Sequence, residues 1–208
     1  MSGAQKNIAT SAGLGLAAGL LLSIAVTAGN FALPPFALPL AIFGFPAAAG
    51  CVIAVAKRLA ARLPVAPSLA KFLIVGSVST LLELAVLNLL FAATGITAGA
   101  GFSAFKAFTY LLGMANSFVF NKYWSFDAHG TNVALEAGKF AAVNVLGLVL
   151  NVGTASFIVN VMGAPPGVSG ALWANFAALV AVGIVLIWNF LNYKFFVFRR
   201  EARSSSAA

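Results

Sequence analysis

The chain has 208 residues, of which 62% are hydrophobic and only 8% are charged, and its formal net charge is +8. Soluble domains contain about 25% charged residues, so this composition excludes a soluble globular enzyme. Four acidic residues, one histidine and one cysteine are too few for acid–base pairs, metal cages or disulfides. We therefore expect a protein that is not an enzyme and needs no cofactor. Its basic residues are scattered between apolar runs, which argues against nucleic acid as a partner.

Six apolar runs are long enough to cross a bilayer core, which requires about 20 helical residues. They are residues 8–29, 36–56, 72–94, 102–121, 140–162 and 170–193. Gly13, Gly15 and Gly19 suit close packing of the first run against another helix, and a signal peptide is the alternative for this run. Pro39 and Pro46 predict a kink in the second run. The sequence thus predicts an all-α polytopic membrane protein of about six transmembrane helices.

The basic residues predict how these helices are oriented. All of them except Lys106 fall in segments that share one side of the six-helix arrangement: Lys6, Lys57, Arg58, Arg62, Lys71, Lys122, Lys139, Lys194, Arg199, Arg200 and Arg203. The opposite connections, 95–101 and 163–167, hold none. Because basic loops stay in the cytoplasm, we expect a multi-pass protein of the cytoplasmic (inner) membrane with both termini inside the cell.

The last four runs are two copies of one helical hairpin, residues 71–126 and 139–198. Both copies open on Lys-Phe, and both close on an aromatic run that contains a lysine, Lys122 or Lys194. Since each hairpin crosses twice, the copies should be related by an axis along the membrane normal. The predicted organisation is a helix pair, a four-helix domain and a disordered tail: 1–66, 67–200 and 201–208.

These motifs carry a family resemblance. The start Lys-Phe-x-x-Val-Gly, the acidic residue in the first helix and the ending Phe-x-x-Asn-Lys-x-Trp-x-Phe resemble the GtrA-like family over about residues 71–200. In the second copy Tyr193 stands where Asn121 stands in the first, which departs from the pattern. The first two runs lie outside the resemblance.

The resemblance implies a role in cell-surface polysaccharide or glycolipid synthesis. The function it implies is translocation, or flipping, of a polyprenyl-phosphate-linked monosaccharide across the membrane. One alternative is a non-transport anchor or stabilising subunit for a partner glycosyltransferase, and another is a small proton-coupled exporter that uses Glu83. Expected partners are membrane lipid and the polyprenyl-phosphate sugar; a glycosyltransferase and a homodimer are left open.

Two ionisable residues fall inside predicted membrane helices. Glu83 lies about 17 Å along its helix from Phe72, near the middle of the membrane, where a charged group is costly and is a functional candidate by default. The predicted depth of Lys106 differs by about 6 Å, which a lysine side chain can span. The hypothesis is that Glu83 binds sugar hydroxyls while Lys106 meets the phosphate. A buried structural ion pair is the alternative.

The remaining candidates are polar and aromatic residues of the repeat. Lys122 and Lys194 suit a phosphate at the cytoplasmic face, although they could serve only as positive-inside anchors. The repeat aligns Asn151 with Glu83. The further substrate-binding candidates are Asn116, Asn121, Asn151, Asn189, Asn192, Trp124 and Trp188. For the asparagines, hydrogen bonding between neighbouring helices is the alternative, and for the tryptophans it is packing.

Overall fold

The computed structural model describes residues 3–125 and 133–192. They form six α-helices: α1 (Gly3–Ala28), α2 (Ala37–Leu59), α3 (Ala66–Thr94), α4 (Gly99–Phe120), α5 (Val133–Phe157) and α6 (Gly170–Asn192). Five-residue π-helical turns continue α4 and α5, at Asn121–Ser125 and Ile158–Met162. No strand occurs in these ranges, and each predicted run falls on a helix. The prediction of an all-α polytopic membrane protein is confirmed.

Most of these helices have the length and composition of membrane spans. Four helical stretches are long and apolar enough to cross a bilayer: Asn7–Ala28, Ala37–Leu59, Ala66–Thr94 and Asn144–Met162. The apolar stretch of α6, Gly170–Leu186, is shorter. Helix α4 is long enough but less apolar, because it carries Lys106 together with several polar side chains. The predicted tail, 201–208, lies outside the described residues.

Local sequence explains where α2 and α3 begin and end. Pro39 lies in the first turn of α2, where no backbone donor is needed, and Pro46 lies inside that helix. Helix α3 begins at Ala66, earlier than the apolar run predicted, with a proline in its first turn. It ends at Gly95, whose φ of 70° is a left-handed cap conformation. The Gly95 N–H donates to the Phe91 carbonyl at 2.8 Å.

Helix α3 occupies the centre of the bundle. One of its faces packs on α1 and α2 in a hydrophobic cluster that includes Leu14, Ile53 and Val75. Further along, α3 packs on α4 and α6 in a second cluster, to which Leu87 and Phe102 belong and to which α1 and α5 also contribute residues. Because both clusters include α3, the N-terminal helix pair is joined to the last four helices by buried apolar contacts.

Two glycines bring α1 and α2 together. A Cβ atom at Gly15 would lie 2.6 Å from the Pro46 Cα, and one at Gly19 would lie 2.6 Å from the Ile42 Cα. Only residues without a side chain allow the two backbones to approach this closely. A Cβ atom at Gly13 would meet nothing within 4 Å. The expected close packing therefore holds for Gly15 and Gly19 and not for Gly13.

The uncharged connections between α3 and α4 and between α5 and α6 meet at the same end of the bundle. Asn160 Oδ1 accepts a 2.6 Å hydrogen bond from the Gly99 N–H, and Asn160 Nδ2 donates to Ser103 Oγ at 3.3 Å. A Cβ atom at Gly170 would lie 2.5 Å from Thr97 Oγ1. The turn between α3 and α4 thus contacts the end of α5 and the start of α6.

Candidate functional site

A cavity of about 460 Å³ lies among α2, α3, α4, α5 and α6, and we call it the central cavity. At mid-helix depth it is lined by Glu83 of α3, Tyr110 of α4 and Asn151 of α5. It continues to Phe72 near the start of α3 and to Ser117 near the end of α4. This is the end of the bundle at which Lys57, Lys71 and Lys122 lie. The central cavity therefore runs from the middle of the bundle toward its basic end.

Glu83 and Lys106 form an ion pair at the deep end of this cavity. Lys106 Nζ donates to Glu83 Oε2 at 2.8 Å, and the Lys106 side chain has no exposed surface. Glu83 lines the central cavity and is itself buried. A Cβ atom at Gly113 would lie 2.8 Å from Glu83 Oε1 and 2.9 Å from its Cγ, so Gly113 provides the space that the carboxylate occupies. The sequence analysis gave a buried ion pair between Glu83 and Lys106 as the alternative to direct substrate binding, and this ion pair is present.

Beside Glu83 the central cavity has a wall of hydroxyl and amide groups. Asn116 Nδ2 donates to Ser79 Oγ at 2.9 Å, which holds a cavity-lining hydroxyl from behind. Asn151 is 1% exposed and lines the cavity, and its Oδ1 has no hydrogen-bond partner. Buried amide oxygens are normally paired. An unpaired acceptor at this depth is the group that a ligand hydroxyl would satisfy.

The aromatic and lysine-containing ending of the first repeat forms the basic end of the site. Asn121 and Lys122 lie in the π-helical turn after α4, and both are buried. Asn121 Nδ2 donates to Ser117 Oγ, a cavity-lining hydroxyl, at 2.9 Å. Lys71 Nζ donates to the Trp124 carbonyl at 2.9 Å and lies 5.5 Å from the centre of the Trp124 ring. Two ammonium groups therefore belong to segments that adjoin the mouth of the cavity.

The structure separates the predicted site residues into three groups. Glu83 and Asn151 line the central cavity. Lys106, Asn116 and Asn121 bond to cavity-lining side chains from behind. Lys122, Trp124 and Trp188 are not among the cavity-lining residues, although all three are at least partly buried. The Asn189 and Asn192 side chains and all of Lys194 lie outside the described part of the chain.

Sequence reasoning missed several hydroxyl and amide groups of the cavity wall. They are Ser77, Ser79, Thr80, Tyr110, Ser117 and Asn144. The signal for two of them was available, because Ser79 and Thr80 precede Glu83 by four and three residues and so share its helix face.

A second missed feature is a pair of amides remote from the cavity. Asn88 of α3 and Asn175 of α6 exchange two hydrogen bonds of 2.7 Å, each Nδ2 donating to the other Oδ1. Both side chains are buried. The pair fastens α6 to α3 and leaves no amide group for a ligand, which is the structural role expected of many membrane asparagines.

Comparison with known proteins identifies the last four helices. A family model described as GtrA/DPMS, transmembrane domain, matches residues 71–198, which is more than half of the chain. Comparisons with curated proteins and with solved structures gave no significant match.

Proposed function

Because this chain belongs to the GtrA/DPMS transmembrane-domain family, which serves polyprenyl-phosphate sugar processes in membranes, we propose that it flips a polyprenyl-phosphate-linked monosaccharide across the cytoplasmic membrane. The product would supply cell-surface polysaccharide or glycolipid synthesis. The family is generally non-enzymatic, and the proposal involves no chemical step. The observation that carries it is a cavity of about 460 Å³ inside a bundle of membrane helices, whose largely apolar wall carries a carboxylate and several hydroxyl and amide groups. Ligand pockets have volumes of about 300–1,000 Å³.

The sugar poses the main energetic problem of this transport. Each hydroxyl that leaves water without a partner costs at least about 1–3 kcal/mol. The cavity wall offers the Glu83 carboxylate, the Asn151 amide oxygen and the Ser79 and Ser117 hydroxyls as partners. We therefore assign the sugar to the deep part of the central cavity, while the polyprenyl tail stays in the surrounding lipid.

The phosphate is assigned to the basic end of the cavity. Lys122 and Lys71 carry ammonium groups close to the segments that line its mouth, and ammonium groups bind phosphate oxygens through charge-assisted hydrogen bonds. Lys194 is also assigned to the phosphate, only because the sequence repeat aligns it with Lys122. Lys106 is reassigned, because its Nζ is bonded to Glu83 and fully buried; its role in the proposal is to hold that carboxylate in place.

Transport by the purified protein is the direct test. Vesicles are prepared with a polyprenyl-phosphate monosaccharide in both leaflets, and impermeant periodate then oxidises the sugar diols that face outward. With the protein present, we expect the whole pool to become oxidised; without it, only the outer-leaflet share should react. A Phe43→Leu variant serves as a matched control, because Phe43 is 76% exposed on the outside of the bundle.

Other results of this assay would assign the alternative functions. If sugar translocation required a co-reconstituted glycosyltransferase, the chain would be an anchor or stabilising subunit. If it required a transmembrane pH gradient, the proton-coupled exporter would be favoured. Vesicles whose inner-leaflet sugar stays protected under all these conditions would contradict the proposal.

A further inference from the structure

One of the two helices outside the family match contributes to the central cavity. The match covers residues 71–198, so α1 and α2 lie entirely before it. Nevertheless Phe45 of α2 is a cavity-lining residue, together with Leu81 and Glu83 of α3. Phe45 also packs against the hydrophobic cluster that α1, α2 and α3 share. Helix α2 therefore forms part of the cavity wall.

Close backbone packing fixes the position of Phe45. A Cβ atom at Gly15 of α1 would lie 2.7 Å from the Phe45 carbonyl oxygen and 2.6 Å from the Pro46 Cα. One of the two close approaches of α1 to α2 thus occurs at the residue that reaches the cavity. Helix α1 also packs on α3. The α2 segment that carries Phe45 is therefore packed against both α1 and α3.

Phe45 lies at about the depth of the carboxylate. It precedes Lys57 by twelve residues, and Glu83 follows Lys71 by twelve residues. At about 1.5 Å per residue, each lies about 18 Å from a lysine at the basic end of the bundle. The aromatic ring and the polar wall therefore meet the same part of a ligand, which in the proposed function is the sugar.

We infer that Phe45 presents its ring to the C–H face of the sugar, so that α2 supplies an aromatic contact of the binding site. A pyranose has hydroxyl groups at its edge and C–H groups on its faces. The negative face of an aromatic ring attracts C–H groups, and carboxylate and amide groups bind hydroxyls. The central cavity offers both kinds of group, the Phe45 ring and the polar side chains around Glu83. This inference rests on the proposed function and assigns part of its substrate specificity to a helix outside the family domain.

Binding of two lipid probes by the purified full chain tests the inference. One probe is a polyprenyl phosphate that carries a monosaccharide, and the other is the same polyprenyl phosphate without sugar. Phe45→Leu removes the ring but keeps an apolar side chain, so we expect it to weaken binding of the sugar-bearing probe about threefold to tenfold. Binding of the sugar-free probe should not change. Phe45→Tyr should bind both probes like the parent.

Two further variants complete the design. Phe43→Leu, two residues away and 76% exposed, is the matched control and should behave like the parent. Phe45→Met replaces Phe45→Leu if thermal melting shows that the latter is not folded.

The outcomes separate this inference from the proposed function. If the parent prefers the sugar-bearing probe and the folded non-aromatic variant at position 45 keeps that preference, the inference is wrong and the proposed function stands. Equal weakening of both probes would place Phe45 against the prenyl chain and would also overturn it. If the parent does not prefer the sugar-bearing probe, the proposed sugar site fails and the inference fails with it.

Discussion

At the scale of single residues, the bundle tolerates a carboxylate and an ammonium group because each is the other's partner. An unpaired charge at mid-membrane is costly, and the 2.8 Å contact between Glu83 and Lys106 avoids that cost. A purely structural pair and a sugar-binding carboxylate predict different behaviour when both charges are removed. Replacing a buried ion pair by neutral groups is often neutral for stability, whereas removing one partner costs about 3–5 kcal/mol.

The corresponding prediction concerns three variants. Lys106→Met should lower the melting temperature strongly because it leaves Glu83 unpaired. Glu83→Gln combined with Lys106→Met should melt near the parent, yet it should remain inactive in the vesicle assay because the sugar has lost its carboxylate. Melting curves and transport rates are measured on the same preparations, with Glu83→Gln alone as the third variant. Recovery of transport in the double variant would show that Glu83 serves only to neutralise Lys106.

Residues differed in how well the sequence predicted their contacts. The ion pair could be predicted from the sequence, because the rise per helical residue alone placed Glu83 and Lys106 at depths that a lysine side chain can bridge. The reciprocal bonds between Asn88 and Asn175 were not, because they depend on how α3 and α6 are rotated and shifted against each other. For the same reason, the sequence could not tell that Asn116 binds Ser79 instead of facing the cavity.

At the scale of helices, hydropathy predicted the six elements and small residues predicted one of their interfaces. Helix α3 extends beyond its apolar run, because hydropathy does not register the polar residues of its first turns. The apolar pattern did not predict the two π-helical turns, Asn121–Ser125 and Ile158–Met162. Such a pattern indicates which residues are buried, but it does not indicate whether the backbone hydrogen bonds are those of an α-helix or a π-helix. Asn121 and Lys122 lie in the first of these turns and are buried, whereas the alternative for Lys122 was an anchor at the membrane surface.

Two neighbouring glycines of α1 provide a matched test of the α1–α2 interface. Gly15→Ala would force a Cβ atom into the α2 backbone at Pro46, and overpacking of this kind costs about 1–3 kcal/mol. Gly13→Ala meets open space and should be neutral or slightly stabilising, since alanine favours helix more than glycine does. Thermal melting of the two purified variants measures the difference. Equal melting temperatures would mean that α1 and α2 separate without cost.

At the scale of the whole molecule, charge predicts the orientation and the contacts predict which connections share a side. The turn between α3 and α4 contacts the end of α5 and the start of α6, so the two uncharged connections lie at one end of the bundle. Lys57, Lys71 and Lys122 lie at the other. Under the positive-inside rule the uncharged end faces outward. The proposed flippase would then admit its substrate from the cytoplasm, since the central cavity extends toward the basic end.

Cysteine accessibility tests this orientation. The native Cys51 is exposed and is first replaced by alanine; single cysteines are then introduced by Ala98→Cys, Ala164→Cys and Arg62→Cys, all at exposed positions. An impermeant thiol reagent added to intact cells should label the first two and not the third, because the basic connection between α2 and α3 is expected inside. After the cells are opened, all three should react, which shows that each cysteine is accessible. Labelling of Arg62→Cys in intact cells, with Ala98→Cys and Ala164→Cys protected, would invert the orientation and would make the central cavity open toward the outside.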